Sequence, residues 1–305
     1  MINYKDARLK WEKYLDDIKK NKKYIKKNGE ISFIKKKYIE MGFKDFDINN
    51  PIGFREKLQA RRINYTKLME ICADKDKVRD YVKSKIGEKY LIPQYFCKSK
   101  VTKGDIKKLP NSFILKTSNG SGTNILIKDK EKESIRDIVK LINFYTKIQY
   151  GYIWGEFHYN KIPITIVAEK LILDKNGNIP DDLKVHCFDD GKKKRKIIEC
   201  HYKIDGKNYK NMYDENWKNL NYVFGFKSDG RKIKKPENIK EILNICDKLS
   251  EDTNYVRVDL YNVNGKIYFG ELTFIPGAGY SHFNPESANE LWGSYMGSEK
   301  YFKGD

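Results

Sequence analysis

Arginine is scarce in this chain of 305 residues. It supplies nine of the 61 basic side chains, at positions 8, 55, 61, 62, 79, 136, 195, 231 and 257, and lysine supplies the other 52. Proteins that read base edges lean on arginine's planar fork. The formal net charge of +19 is therefore read as a lysine, isoleucine, asparagine and tyrosine bias of the kind an A/T-rich genome imposes, and no nucleic-acid partner is expected. Cysteine is sparse as well: five residues, at 72, 97, 187, 200 and 246, with no CxxC pair and an odd count, which excludes a disulfide framework. No apolar run approaches the roughly 20 residues of a membrane-spanning helix. The opening residues are polar and lack the core of a secretory signal, so a cytoplasmic protein is expected.

What is present points to a packed fold. A hydrophobic content of 39% excludes wholesale disorder, and the length suits one elaborate α/β domain or two lobes. Residues 1–50 read as a basic helical segment: Trp11, Leu15 and Ile18, then Ile31, Ile34, Tyr38 and Met41, recur at helical spacing around a lysine-rich helix face and turn at 19–27. Helices are predicted from Phe54 and over 74–85, ending at Gly87, and again over 134–147 and 237–249. Strands are predicted over 112–116, 124–127, 164–173, 183–188, 196–201, 255–261 and 266–272. Turn signals at 174–177, 189–191 and 262–265 predict antiparallel hairpins. The fold class is α+β, or mixed α/β, divided as 1–50, 51–168 and 169–305.

Two segments carry chemistry. In the first, Phe113-Ile114-Leu115-Lys116 ends a strand and Thr117-Ser118-Asn119-Gly120-Ser121-Gly122-Thr123 follows as a small, flexible loop. Glycines let backbone N–H groups approach an anion, hydroxyls can donate, and the strand-end lysine adds a point charge. It is a phosphate cradle in physical terms, although a Walker loop places its lysine after the glycines. In the second, Arg257-Val258-Asp259 and Glu271-Leu272-Thr273 lie on strands joined by an Asn-Gly turn. If register brings the odd positions of both strands onto one face, two carboxylates and a hydroxyl converge beside an arginine, a donor set that suits Mg²⁺. The alternative is a cross-strand salt bridge and nothing more.

As an ordered series these residues resemble the ATP-grasp superfamily: Lys116 with its loop, Glu169-Lys170-Leu171, Arg257-Val258-Asp259, and Glu271-Leu272-Thr273 before Pro276-Gly277. The last stretch is similar to the ExNxxPG segment of D-alanine–D-alanine ligases, and Ser281-His282 with Pro285 has a counterpart there. The TupA-like branch, named for teichuronopeptide biosynthesis, is closer still. Its pattern is similar to Phe54-Arg55-Glu56-Lys57-Leu58-Gln59, to the stretch from Asp74 to Val82, to the run from Leu109 to Lys116, and to Phe269-Gly270-Glu271-Leu272-Thr273-Phe274. The resemblance spans about residues 51–295.

What the resemblance implies is an ATP-grasp fold in which two α+β lobes sandwich ATP. Lys116 and either Lys75 or Arg79 would meet the phosphates, and the loop of Ser118, Gly120, Ser121, Gly122 and Thr123 would close over them. Glu169, Lys170 and Leu171 would serve the ribose and base, and Lys184 would touch the nucleotide. Asp259 and Glu271 would hold Mg²⁺ with Thr273 in a slot usually filled by asparagine, and Arg257 would act with Lys116 on the reacting phosphoryl group. The implied activity is ATP-dependent ligation of a carboxylate to an amine through an acylphosphate, on a uronic acid or similar carboxylate of a surface polysaccharide, with peripheral contact to the inner membrane leaflet as a further expectation.

Alternatives of other classes are a glycosyltransferase of the same pathway, for which Asp189-Asp190 is the nearest DxD-like candidate, and a non-catalytic binder of nucleic acid. His186-Cys187 and Cys200-His201 resemble a zinc site, but neighbours in a strand point to opposite faces, which disfavours four ligands on one ion. No GxSxG elbow is present.

Overall fold

The computed structural model describes residues 3–297, so the outer ends of the 1–50 and 169–305 spans lie outside it. In chain order the elements begin with α1 (Tyr4–Asn28), α2 (Glu30–Glu40), α3 (Phe54–Ile63), α4 (Lys67–Ala73) and α5 (Val78–Ile86). Next come β1 (Gln94–Lys98), α6 (Lys103–Lys108), β2 (Phe113–Thr117), β3 (Asn124–Ile127), α7 (Ile135–Tyr145), α8 (Gly151–Trp154) and β4 (Ile166–Glu169). The remainder is β5 (Asp182–Asp189), β6 (Lys194–Ile204), β7 (Lys207–Tyr213), β8 (Val223–Phe224), α9 (Ile239–Ser250), β9 (Tyr255–Val263), β10 (Lys266–Thr273), β11 (Phe283–Asn284) and α10 (Ala288–Tyr295). The mixed α+β class is as expected. No helix among the described residues is long and apolar enough to cross a membrane.

Two compact units emerge, each assembled from three stretches of chain. The first comprises Met1–Lys37, Lys67–Arg79 and Ile92–Ile172. Its antiparallel sheet has the order β1-β4-β2-β3. Helix α7 starts under a cap from Ser134, whose hydroxyl accepts from the Asp137 N–H at 3.3 Å. It buries Ile138, Leu141, Ile142 and Tyr145 as one stripe against Phe113, Leu115, Ile125 and Ile127 of β2 and β3. Trp11 and Ile18 of α1 join the same core. Helix α1 runs unbroken through the lysine-rich stretch where a turn was expected. Lysine is a good helix former, and the first breaker is Gly29, at φ +84°. Strand β4 is shorter than predicted because the Lys170 N–H leaves the ladder to donate to the Pro93 carbonyl at 2.9 Å.

The second unit comprises Tyr38–Thr66, Asp80–Leu91 and Leu173–Asp305. Its five strands, in the order β10-β9-β5-β6-β7, pair antiparallel throughout. One face is apolar: Val185, Cys187, Val256, Val258 and Leu260 are buried on the side that α9 covers with Ile242, Ile245, Cys246 and Leu249. The other face is divided. At one end Phe188 and Tyr255 meet Phe54 of α3, whose ring lies 4.9 Å from Tyr255 and 5.2 Å from Trp292 of α10. Beyond that aromatic cluster the face carries charges. The turns at 189–191 and 262–265 join paired strands as predicted, whereas 174–177 closes on itself, with Asp174 N–H donating to Asn178 O at 2.8 Å, and joins no ladder. Strands β1 and β7 were not anticipated.

Candidate active site

In the first unit Lys116 is the last residue but one of β2, and its Nζ donates to Glu169 Oε2 at 2.8 Å. Arg79 reaches the other oxygen of Glu169 at 3.5 Å and donates to the Ile92 carbonyl at 2.9 Å. Lys116, Arg79 and Glu169 thus form one partly buried cluster, and an anion arriving there would compete with Glu169 for both cations. Lys75 acts on the loop itself: its N–H donates to Ser118 O at 3.0 Å and its Nζ to Gly120 O at 2.6 Å. The loop hydroxyls are unequal. Ser118 Oγ donates to Pro163 O at 2.8 Å and accepts from Thr165 N–H at 2.9 Å, and Thr123 is buried in contact with the Thr117 hydroxyl. Both belong to the loop's frame, while Ser121 and Gly122 are exposed at its tip. Gly120 sits at φ +72° with Tyr150 packed so closely that a Cβ would lie 2.3 Å from its ring. Gly122 lies over Trp11, so α1 backs this loop. Lys170 has its N–H committed to Pro93, and Leu171 is buried beside it at the end of this unit.

In the second unit the decisive feature is a bulge. Pairing between β10 and β9 steps from Phe269 opposite Leu260 to Glu271 opposite Asp259, leaving Gly270 without a partner. Without that extra residue Glu271 would face Val258 and point into the core. With it, Ile267 and Phe269 before the bulge and Leu272 and Phe274 after it all bury, while Glu271 and Thr273 come onto the face of Asp259 and Arg257. Only glycine fits there, since a Cβ would lie 2.9 Å from the Asp259 carbonyl oxygen.

The side chains follow that register. Arg257 grips Asp259 with two hydrogen bonds of 2.7 Å and also reaches Glu271 Oε1 at 3.2 Å and Thr273 Oγ1 at 3.1 Å. The Thr273 hydroxyl lies 2.9 Å from Glu271 Oε1. Lys184 on β5, opposite Asp259, donates to Asp259 Oδ2 at 2.7 Å and to Asp182. Burial disfavours the Lys184 ammonium, but the charge of Asp259, then that of Asp182, outweighs it and raises its pKa above the usual lysine range. Arg257 is raised likewise, Asp259 overcoming its burial. The donor set of two carboxylates and a hydroxyl, with both carboxylates in reach of one guanidinium nitrogen, fits a hard divalent cation that completes its shell with phosphate and water. Among the described residues no group of three or more His, Cys, Asp or Glu side chains is placed to hold a metal ion.

Sequence reasoning missed the continuation of this face. Glu199 of β6 stands opposite Lys184, and His186, His201 and Lys210 gather around it. The dipeptide Asp205-Gly206, both residues at positive φ, was the available signal for the β6–β7 hairpin. Asp189 ends β5 and Asp190 opens the turn to β6, their carboxylates capping it: Asp189 accepts from Gly191 N–H, and Asp190 from Lys192 and Lys193 N–H. The Arg195 guanidinium, 2.6 Å away, and those N–H groups hold Asp190 down to about 2.

The profile of the TupA-like ATP-grasp proteins matches residues 56–297. The chain belongs to the TupA-like ATP-grasp family. That match takes in parts of both units and leaves α1 and α2 outside it. Among solved structures the TupA-like chain is similar to D-alanine–D-alanine ligase from Bacillus anthracis, with 18% identity, 76% of this chain and 66% of that one covered, and a TM-score of 0.40. It is similar also to D-alanyl-alanine synthetase A from Vibrio cholerae O1 biovar eltor, with 11% identity, coverage of 73% and 59%, and a TM-score of 0.41. A third likeness is to the ATP-grasp ligase PsnB complexed with a minimal precursor, at 11% identity, coverage of 78% and 63%, and a TM-score of 0.35. The chain spans less than two thirds of the length of these three proteins. No curated protein matches it.

Proposed function

We propose that this TupA-like protein is an ATP-dependent ligase that joins a carboxylate to an amine through an acylphosphate, the carboxylate being a uronic or similar acid of a surface polysaccharide. The observation that carries the reading is the Gly270 bulge, which sets Asp259, Glu271, Thr273 and Arg257 on one face of a sheet. A structural salt bridge alone does not need a glycine-dependent change of register to expose a second carboxylate.

Lys116 and Arg79 would exchange Glu169 for ATP phosphate oxygens, with Lys75 holding the loop and Ser121 and Gly122 closing it. Glu169, Lys170 and Leu171 would meet ribose and base, Lys170 through its carbonyl, since its N–H is bound. Asp259 and Glu271, with Thr273 as neutral donor, would hold magnesium, which neutralises charge on the transferred phosphoryl group. Arg257 and Lys184 already balance those carboxylates, so they stand where developing negative charge would be stabilised by groups that need little reorganisation. The reaction is placed in the cytoplasm, with the exposed lysines and Leu9 of α1 against an anionic leaflet.

The test is ATP-dependent ADP release across a panel of uronic, amino and hydroxy acids paired with primary amines, alongside ATP–Mg²⁺ thermal shifts. Release with one carboxylate, increased by an amine, is the expected result. Stabilisation by sugar nucleotides and not by ATP would overturn the reading in favour of a glycosyltransferase. Sedimentation with anionic vesicles tests the membrane contact.

A further inference from the structure

The polar face of the second sheet does not stop at Lys184. In register across the strands, Glu271, Asp259, Lys184 and Glu199 form one row. His201 and Lys210 are paired in the next, on β6 and β7. Glu199 is only 1% exposed, yet it carries no apolar role. Its Oε2 lies 3.2 Å from His186 Nε2, and its Oε1 touches His201 Nε2 and lies 3.1 Å from Lys210 Nζ. Burial favours the neutral acid, but hydrogen bonds from both histidines and the Lys210 charge hold Glu199 well below the usual carboxylate range.

An ionised carboxylate only accepts, so both imidazoles must present N–H at Nε2. For His186 that choice is absorbed by the core. Its Nδ1 accepts from the Tyr255 hydroxyl at 2.9 Å, and burial holds it neutral, below the usual histidine range. For His201 the consequence differs. Its side chain is a quarter exposed, and Nδ1 has no hydrogen-bond partner among the described residues. A base whose far nitrogen is fixed by a buried carboxylate, with its near nitrogen turned outward, is the arrangement of an oriented general base.

The surroundings suit an amine. Phe226, an aromatic that remains 46% exposed, places its ring 6.2 Å from the His201 ring and 5.5 Å from Lys210 Nζ. The chain that leaves β10 after Thr273 returns here, where Gly225 N–H donates to His282 O at 2.8 Å. The titratable groups facing His201 are Glu199 and Lys203 on its own strand, Lys210 on β7, and Asp181 and Asp182 at the start of β5. Burial raises Asp181, with Asp182 adding to the rise, while the charge of Lys203 pulls it back.

We propose that His201, through Nδ1, takes the proton of the primary amine that attacks the acylphosphate, with Glu199 as the residue that positions it. The proposal rests on the ligase reading above. In the step the amine nitrogen forms the C–N bond, and the acyl C–O bond breaks with its electron pair leaving on phosphate. The proton lost from nitrogen passes to His201 Nδ1 and then to the departing phosphate, which restores the neutral imidazole.

The experiment separates this step from acylphosphate formation. Full-length protein is supplied with ATP–Mg²⁺, the carboxylate that supports ADP release, and either glycine or hydroxylamine. Hydroxylamine is a strong nucleophile of low basicity whose adduct loses its weakly held proton to water, so it depends little on a protein base. His201→Gln should lower glycine amide formation by about 100-fold, the size of a lost general base, and remove the acidic limb of its pH profile. Hydroxamate formation by the same variant should stay within about threefold of wild type. Long-range ¹H–¹⁵N correlation of the imidazoles should show His201 protonated at Nε2, a preference lost in Glu199→Gln. Equal loss of amide and hydroxamate, or an unchanged amide pH profile, overturns the role of His201 while leaving the ligase intact. Absence of ADP release and of hydroxamate with every carboxylate removes the ligase reading, and this proposal with it.

Discussion

The two units hold their candidate functional groups by different physical means. In the first, the loop from Ser118 to Thr123 is shaped by backbone: positive φ at Gly120 and Gly122, the Ser118 and Thr123 hydroxyls turned inward, and Lys75 bonded to the Gly120 carbonyl. In the second, a sheet face is held by side-chain charge, with Arg257, Lys184, Asp259 and Glu271 neutralising one another at 2.7–3.2 Å. A backbone loop can adapt to what it closes over. A paired array of charges, largely buried at Arg257, Lys184 and Asp259 and open at Glu271, is preorganised, and it loses heavily when a buried member is removed.

The largest effect that sharpens this contrast should come from Asp259→Asn and Glu271→Gln. Each should lower ATP turnover by about 10²–10³-fold while changing ATP affinity far less, because the lost charge acts mainly on the transition state. Thr273→Ala should do less harm, since water can replace a neutral donor. Single-turnover assays beside equilibrium nucleotide binding give the comparison, and full activity in Glu271→Gln would remove the metal centre from the proposal.

Next in size is a stability difference between two cations. Arg257→Ala strips Asp259 of its bidentate partner and should cost about 3 kcal/mol in urea unfolding, as loss of one member of a buried pair does. Lys116→Ala should cost only about 1 kcal/mol, because it removes a single hydrogen bond where Arg257→Ala removes four, and Glu169 keeps Arg79 in reach. It should nevertheless abolish the ATP-induced thermal shift. Equal stability losses in the two variants would break the contrast.

A smaller effect is expected at the loop. Gly120→Ala places a Cβ against Tyr150 at a φ of +72° and should cost about 1–3 kcal/mol through strain. It should raise the KM for ATP, whereas Gly122→Ala, which carries similar backbone strain at φ +80° but meets only Trp11, at 3.2 Å, should do less.

The last prediction concerns acid. Glu199 is held below its unfolded pKa, so its contribution to stability is complete above the ordinary carboxyl range and lost as pH falls through it toward the folded value. His186 is also lowered, so the unfolded chain binds its proton first, and stability declines as pH drops below the ordinary histidine value of about 6.5. Both act in the same direction. Urea midpoints from pH 7 to pH 5 should fall for wild type and fall less for His186→Gln.

Much of this was legible in the chain itself. The stripe of Ile138, Leu141 and Ile142, the strand-end placement of Lys116, and the Asn-Gly turn between β9 and β10 follow from local periodicity and turn chemistry, which need only neighbours in sequence. The ordered motifs were likewise sufficient to place the chain in its family. Other features depend on residues far apart in the chain. Whether Glu271 faces Asp259 or the core turned on one unpaired glycine, because side chains alternate and a one-residue step reverses a strand's faces. That Ser118 braces the loop rather than lines it depends on Pro163 and Thr165 lying alongside. The array around Glu199 exists only because β5, β6 and β7 align His186, His201 and Lys210 from separate strands. Sequence determined which elements form, through propensities and short-range pattern. Tertiary structure decided which charges meet, since register and burial are settled only when strands distant in sequence share a sheet.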